Sequence, residues 1–307
     1  MEGPSIDEPV IPERNFWLRD GELRLLWKLL AFSGVFFLSS LVMAMLLIFT
    51  DSISGIQLWL LVQLFGVGAA TVFCMVLIER KPIREVGFQP GRAVVRHLSF
   101  GIPVASSMVA LVLLVELTTG LARITLVQLD VTRGLNIVAT GLLQFAIVAV
   151  AEETISRGYP FLALRHRYNA RVAILFTSLV FSAMHLGNPG VSMFGLMNIF
   201  LAGIWLGSAR TLSGNLWLPI SLHFAWNFVL GTVLGYPVSG MVDASVFVTV
   251  SHGPEMVSGG SFGPEGGLLV TGSLIAGTVL LYIPKVRAFI SPPSKQDSDL
   301  MKEEVIS

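Results

Sequence analysis

Charge is scarce in this chain. Only 13% of its 307 residues are Asp, Glu, Lys or Arg, against about 25% in an ordinary soluble domain, while 53% are hydrophobic and the mean hydropathy is +0.75. That balance excludes an ordinary soluble enzyme. Charge of one sign is also lacking: 20 Lys and Arg meet 20 Asp and Glu, so no net field gathers nucleic acid or an acidic substrate. The single cysteine, Cys74, lies in an apolar run. It excludes an intramolecular disulfide framework and argues against a thiolate metal cluster. Neither an internal repeat nor a glycine-rich phosphate loop is found.

What is present is a series of runs without Asp, Glu, Lys or Arg: 29–50, 52–78, 97–115, 134–151, 172–209, 211–242 and 266–284. A spanning helix needs about 20 mainly apolar residues, so 172–209 holds two, separated at Gly187-Asn188-Pro189-Gly190 where a turn is natural. The expected fold is all-α, a multi-pass membrane protein of about eight helices at 27–49, 56–78, 98–118, 135–156, 170–187, 191–208, 215–234 and 266–284.

Lys and Arg alternate between the connections as the positive-inside rule requires. One set holds Arg14, Arg19, Arg24, Arg80, Lys81, Arg84, Arg92, Arg96, Arg157, Arg165, Arg167, Arg171, Arg210, Lys285, Arg287, Lys295 and Lys302. The opposite set holds Arg123 and Arg133. Both termini are therefore expected to be cytoplasmic, with tails at 1–24 and 286–307 around a membrane domain at 25–285. No cleavable signal peptide is expected, because 1–24 is polar and the first apolar run lacks a small-residue cleavage pattern. Residues 235–265, rich in Gly, Ser and Pro, are expected to be a loosely packed non-cytoplasmic loop.

A charge at mid-membrane costs about 2.5 to 3.5 kcal/mol, so ionisable groups in spans are functional candidates. They are Glu152 and Glu153 in the fourth helix, His185 in the fifth, and His223, with Asn227, in the seventh. Two carboxylates and two imidazoles form a general acid/base set. Residues four apart share a helix face. His223 and Asn227 therefore point one way, Phe181 can wall His185, and Glu153 can pair with Arg157. Glu152, about 100° around the helix, faces elsewhere. The competing structural readings are an ion pair of Glu153 with Arg157 at the membrane border, and hydrogen-bonded packing for each imidazole. Gln63, Gln144 and Asn198 are read as joining helices.

Glu152-Glu153-Thr154-Ile155-Ser156-Arg157, Phe181-Ser182-Ala183-Met184-His185 and His223-Phe224-Ala225-Trp226-Asn227 resemble the three ordered motifs of the intramembrane CAAX-protease and bacteriocin-processing (CPBP, or Abi) family. That family includes the type II CAAX prenyl endopeptidases and lysostaphin-resistance-like membrane proteins. The stretch from Gly203 through Ser213-Gly214-Asn215-Leu216-Trp217-Leu218-Pro219-Ile220 is similar to the family's approach to its last motif. The resemblance covers about 135–235 and implies an intramembrane endopeptidase acting on peptide or protein substrates, lipidated ones among them, within the cell membrane and without nucleic acid. By that resemblance Glu152 and His185 activate water, His223 and Asn227 form the oxyanion hole, and Glu153, Arg157 and Phe181 support them. Zinc through Glu152, His185 and His223 stays open, although the HExxH spacing on one helix is absent; a metal-free Glu/His pair is preferred. The alternatives are a non-catalytic membrane scaffold or immunity protein, and a proton-coupled transporter. A cavity between the fourth, fifth and seventh helices is expected to open to the cytoplasm. One conflict accompanies these roles: helical rise puts His185 about 20 Å from the basic border, but Glu152 and His223 about 10 Å.

Overall fold

The structure, a computed structural model, describes residues 16–19, 21–47 and 55–292. Arg14, Lys295, Lys302 and the outer parts of both expected tails lie outside the described residues. After a short ladder of β1 (Leu18–Arg19) with β2 (Glu22–Leu23) come α1 (Leu25–Leu47) and α2 (Gly55–Val72), which runs on as a π-helical turn, Phe73–Ile78. Next are α3 (Arg92–Thr118), β3 (Ala122–Leu126), α4 (Val131–Arg157), α5 (Tyr159–Arg167), α6 (Ala170–Ala183) and α7 (Met193–Ser213). The chain ends in α8 (Trp217–Asn227) with a π-helical turn Phe228–Val233, β4 (Phe247–Ser251), α9 (Glu255–Ser258), α10 (Leu268–Tyr282) and α11 (Pro284–Ile290).

Every expected apolar helix is present as a helix, and the chain is an all-α multi-pass membrane fold. The expected number of eight spans is not confirmed. Among the described residues five helices are long and apolar enough to cross a membrane, six if α10 and α11, bent by 75°, count as one. The reasons are local. Asn169 caps α6 by accepting from the Val172 amide, and the chain turns at Met184, leaving α6 only 14 residues. The unexpected α5 fills the basic connection before it, and α11 occupies the start of the expected C-terminal tail.

Two ends are distinguishable. At one, Lys28 pairs with Glu79 at 2.8 Å, Tyr159 donates to Glu79 at 2.9 Å, Trp217 Nε1 donates to the Gln89 carbonyl, and His97 Nε2 meets the Ile290 carbonyl. Burial, the largest influence on Glu79, raises its pKa, but Lys28 and Tyr159 together outweigh it and hold the carboxyl below its ordinary value. This end gathers Arg24, Arg80, Lys81, Arg84, Arg92, Arg165, Arg167, Arg171 and Arg287. The other end is closed by β3 and β4, which pair antiparallel from Ala122↔Ser251 to Leu126↔Phe247.

Residues 235–265 correct the expectation of a loose loop. Tyr236, Val238, Ser239, Phe262 and Glu265 are buried, and Tyr236 donates a short hydrogen bond to the buried Glu116 of α3. The glycines here permit tight packing. Gly240 sits at φ +84°, and a Cβ there would lie 1.9 Å from the Pro189 carbonyl oxygen; only glycine fits.

Candidate functional site

The fourth helix supplies two adjacent carboxylates to different surroundings. Glu153 and Arg157 are 0% exposed and paired at 3.1 Å, so the pair lies in the protein interior and not at a snorkelling border. Arg157 also donates to the Gly203 carbonyl at 3.0 Å and stacks over Phe181, 4.4 Å from the ring centre. Close approach of α6 and α7 makes this possible: a Cβ on Gly203 would lie 2.7 Å from Ser178. Beneath Arg157, the buried Arg210 donates to the carbonyls of Arg157 and Val86 and lies over Phe161. Two buried guanidiniums thus seal the basic end of the site.

Glu153 reaches the third motif as well, because its Oε1 lies 2.9 Å from His223 Nδ1. A carboxylate accepts, so Nδ1 carries the proton and Nε2 points away, 3.8 Å from Glu152 Oε2. His185 is held in the same sense. Its Nδ1 lies 2.8 Å from the Phe181 carbonyl oxygen, so Nδ1 donates there and Nε2 is left free of that bond. Phe181 stands edge-on to both imidazoles, with ring centres 4.9 Å from His185 and 6.0 Å from His223. The expected depth difference does not keep these groups apart: although α6 starts at Ala170, Phe181 touches both imidazoles, and His185 lines the same cavity as Glu152 and His223.

Glu152, His185, His223 and Asn227 line one cavity of about 730 Å³, together with Phe181. Glu153 and Arg157 stand behind its wall. Among the described residues no three His, Cys, Asp or Glu side chains converge closely enough to hold a metal ion, so Glu152, His185 and His223 do not fit a zinc shell as they stand.

Glu265 and Asp243 escape the sequence reading, and Gln63, Gln144 and Asn198, read there as joining helices, line the cavity as well. Glu265, just before α10, accepts from Trp226 Nε1 at 3.0 Å and from the Ser239 amide and hydroxyl at 2.5 and 2.8 Å. It fastens the 235–265 segment to α8 beside Asn227. A carboxylate in the Pro264-Glu265-Gly266-Gly267 step before an apolar helix is its available signal. Asn198 supports the same segment through the carbonyls of Glu265 and Gly267. Gln144 donates to Asp243 at 2.9 Å, and burial raises the Asp243 pKa against that hydrogen bond. Gln63 of α2, 8% exposed, lines the cavity with its amide oxygen unpartnered.

Residues 134–229 match a family model described as type II CAAX prenyl endopeptidase Rce1-like, consistent with a CPBP-family protease. The match is shorter than half the chain but contains all three motifs. It supports a CAAX-protease-like intramembrane endopeptidase family. No curated protein matches the chain.

Proposed function

We propose that the chain is an intramembrane endopeptidase of the cell membrane, with both termini cytoplasmic, that hydrolyses peptide bonds of membrane-associated or lipidated polypeptides. The carrying observation is that two imidazoles, each tied at Nδ1, share a cavity with Glu152 and Asn227. Glu152, aided by His185 Nε2, takes a proton from water as the oxygen attacks the peptide carbonyl carbon. The Asn227 amide, and His223 through Nε2 once that nitrogen carries a proton in addition to the one on Nδ1, donate to the resulting oxyanion; a single donor of this kind typically contributes about 10²–10³ in rate. Collapse breaks the C–N bond, and the proton returns through Glu152 or His185 to the leaving nitrogen. Glu153 holds the His223 ring by its Nδ1–H and stabilises the doubly protonated form, as Arg157 holds Glu153.

The test compares peptides and membrane-protein fragments from cells carrying wild type with those carrying Glu152→Gln at equal abundance. Fragments that depend on Glu152 are expected. If none differs while deletion of the protein still gives a phenotype, the scaffold reading replaces this one.

A further inference from the structure

Within the peptidase reading, which this inference presupposes, the geometry points to a substrate side and class: an apolar polypeptide segment presented at the non-cytoplasmic surface and cut at an internal bond. The cavity has a direction. Its floor lies toward the basic end, where Arg157 and Arg210 are 0% and 1% exposed. Its exposed lining residues belong to the opposite end: Trp59 at the start of α2, Met184 in the turn after α6, and Met241 and Val242 between α8 and β4, at 50%, 43%, 52% and 76% exposure. Asn188 donates to the Ser239 carbonyl and joins two sides of that mouth. The expected opening on the basic side is therefore reversed, because Phe161, Arg157, Arg210 and Leu216 fill that end.

Charge fixes which face this is. Among the described residues only Arg123, in β3, and Arg133, in the first turn of α4, bring a Lys or Arg to the mouth end. The remaining described cations lie at or beneath the floor end, which the positive-inside rule assigns to the cytoplasm. The mouth then faces the other compartment.

Lining chemistry narrows the substrate. No Lys or Arg is among the described residues that line the cavity, whereas Glu152, Asp243 and Glu265 are. A free carboxylate next to the scissile bond would lose its water beside three carboxyl groups and gain no cation. A peptide bond inside a chain brings no such charge. Leu60, Phe145, Leu206, Val270 and Leu274 offer it apolar wall.

The experiment uses the full-length protein in cells. The only cysteine, Cys74, is buried, so wild type is the blank for a membrane-impermeant maleimide. Met241→Cys, with Val242→Cys as the second mouth variant, is compared with Arg84→Cys at the basic end. The mouth variants are expected to label equally before and after permeabilisation, and Arg84→Cys only afterwards. The reverse pattern overturns the assigned side. Glu152-dependent fragments, once sequenced, should end at internal bonds in non-cytoplasmic segments; cleavage beside C-terminal carboxylates overturns the assigned class. Absence of all Glu152-dependent fragments instead defeats the peptidase reading and leaves the labelling pattern standing, so the two failures are distinguishable.

Discussion

Glu152 and Glu153 are neighbours in sequence with opposite physical positions, and substitution separates them. Glu153 neutralises a fully buried Arg157 and holds His223; removing either member of such a pair strands a charge, at about 3–5 kcal/mol. Glu153→Ala and Arg157→Ala should each unfold at lower denaturant in detergent solution by that amount. Glu152→Gln should leave the midpoint within about 0.5 kcal/mol, the range for a substitution that breaks no buried network. Glu153→Gln/Arg157→Met should regain stability without regaining activity, since it removes both charges but leaves His223 without its carboxylate. Equal destabilisation by Glu152→Gln would make Glu152 a structural carboxylate. The i,i+4 pairing of Glu153 with Arg157 was legible from spacing alone. Its burial was not, because Gly203, which lets α7 approach, reads in the sequence only as a small residue favouring close packing.

At the scale of elements, the helices were readable and the connections were not. Apolar runs fixed the eight helical segments because backbone groups in hydrocarbon must bond within the segment. The 235–265 segment was misread because glycine content signals either freedom or close approach, and only the neighbours decide which. Gly240 and Gly214 separate the two cases. Both have positive φ, +84° and +72°, but a Cβ on Gly240 meets the Pro189 carbonyl oxygen at 1.9 Å, whereas on Gly214 the nearest atom is 3.9 Å away. Gly214→Ala should cost only the left-handed conformation, about 1–2 kcal/mol. Gly240→Ala must in addition displace the turn that carries His185. Limited proteolysis from the mouth side should therefore cut Gly240→Ala faster than Gly214→Ala, with a larger loss of Glu152-dependent cleavage. Equal proteolysis would show that the segment does not brace the site.

For the molecule as a whole, the usual meaning of exposure is inverted. Phe37, Leu38, Met45 and Leu46 of α1 are exposed at 56–68%, which suits a lipid-facing helix, while the buried guanidiniums lie between α4 and α7. The division of charge between ends was legible in the sequence, since it needs only the order of spans. The direction of the cavity was not, because it depends on Arg157 and Arg210 folding inward and on Glu265 drawing its segment toward α8. That asymmetry gives the proposed peptidase and a proton-coupled carrier different expected behaviour. A carrier must open its ionisable groups to each side in turn, whereas here Glu152 and His223 meet a floor sealed by Arg157, Arg210 and Phe161. Liposomes containing the purified protein should therefore take up protons no faster under an imposed gradient than liposomes containing Glu152→Gln. Arg210→Ala should not create a Glu152-dependent flux, because Arg157 and its Glu153 partner still block the path. A proton flux in wild type that Glu152→Gln abolishes would show that the floor opens, and the carrier reading would then replace the peptidase.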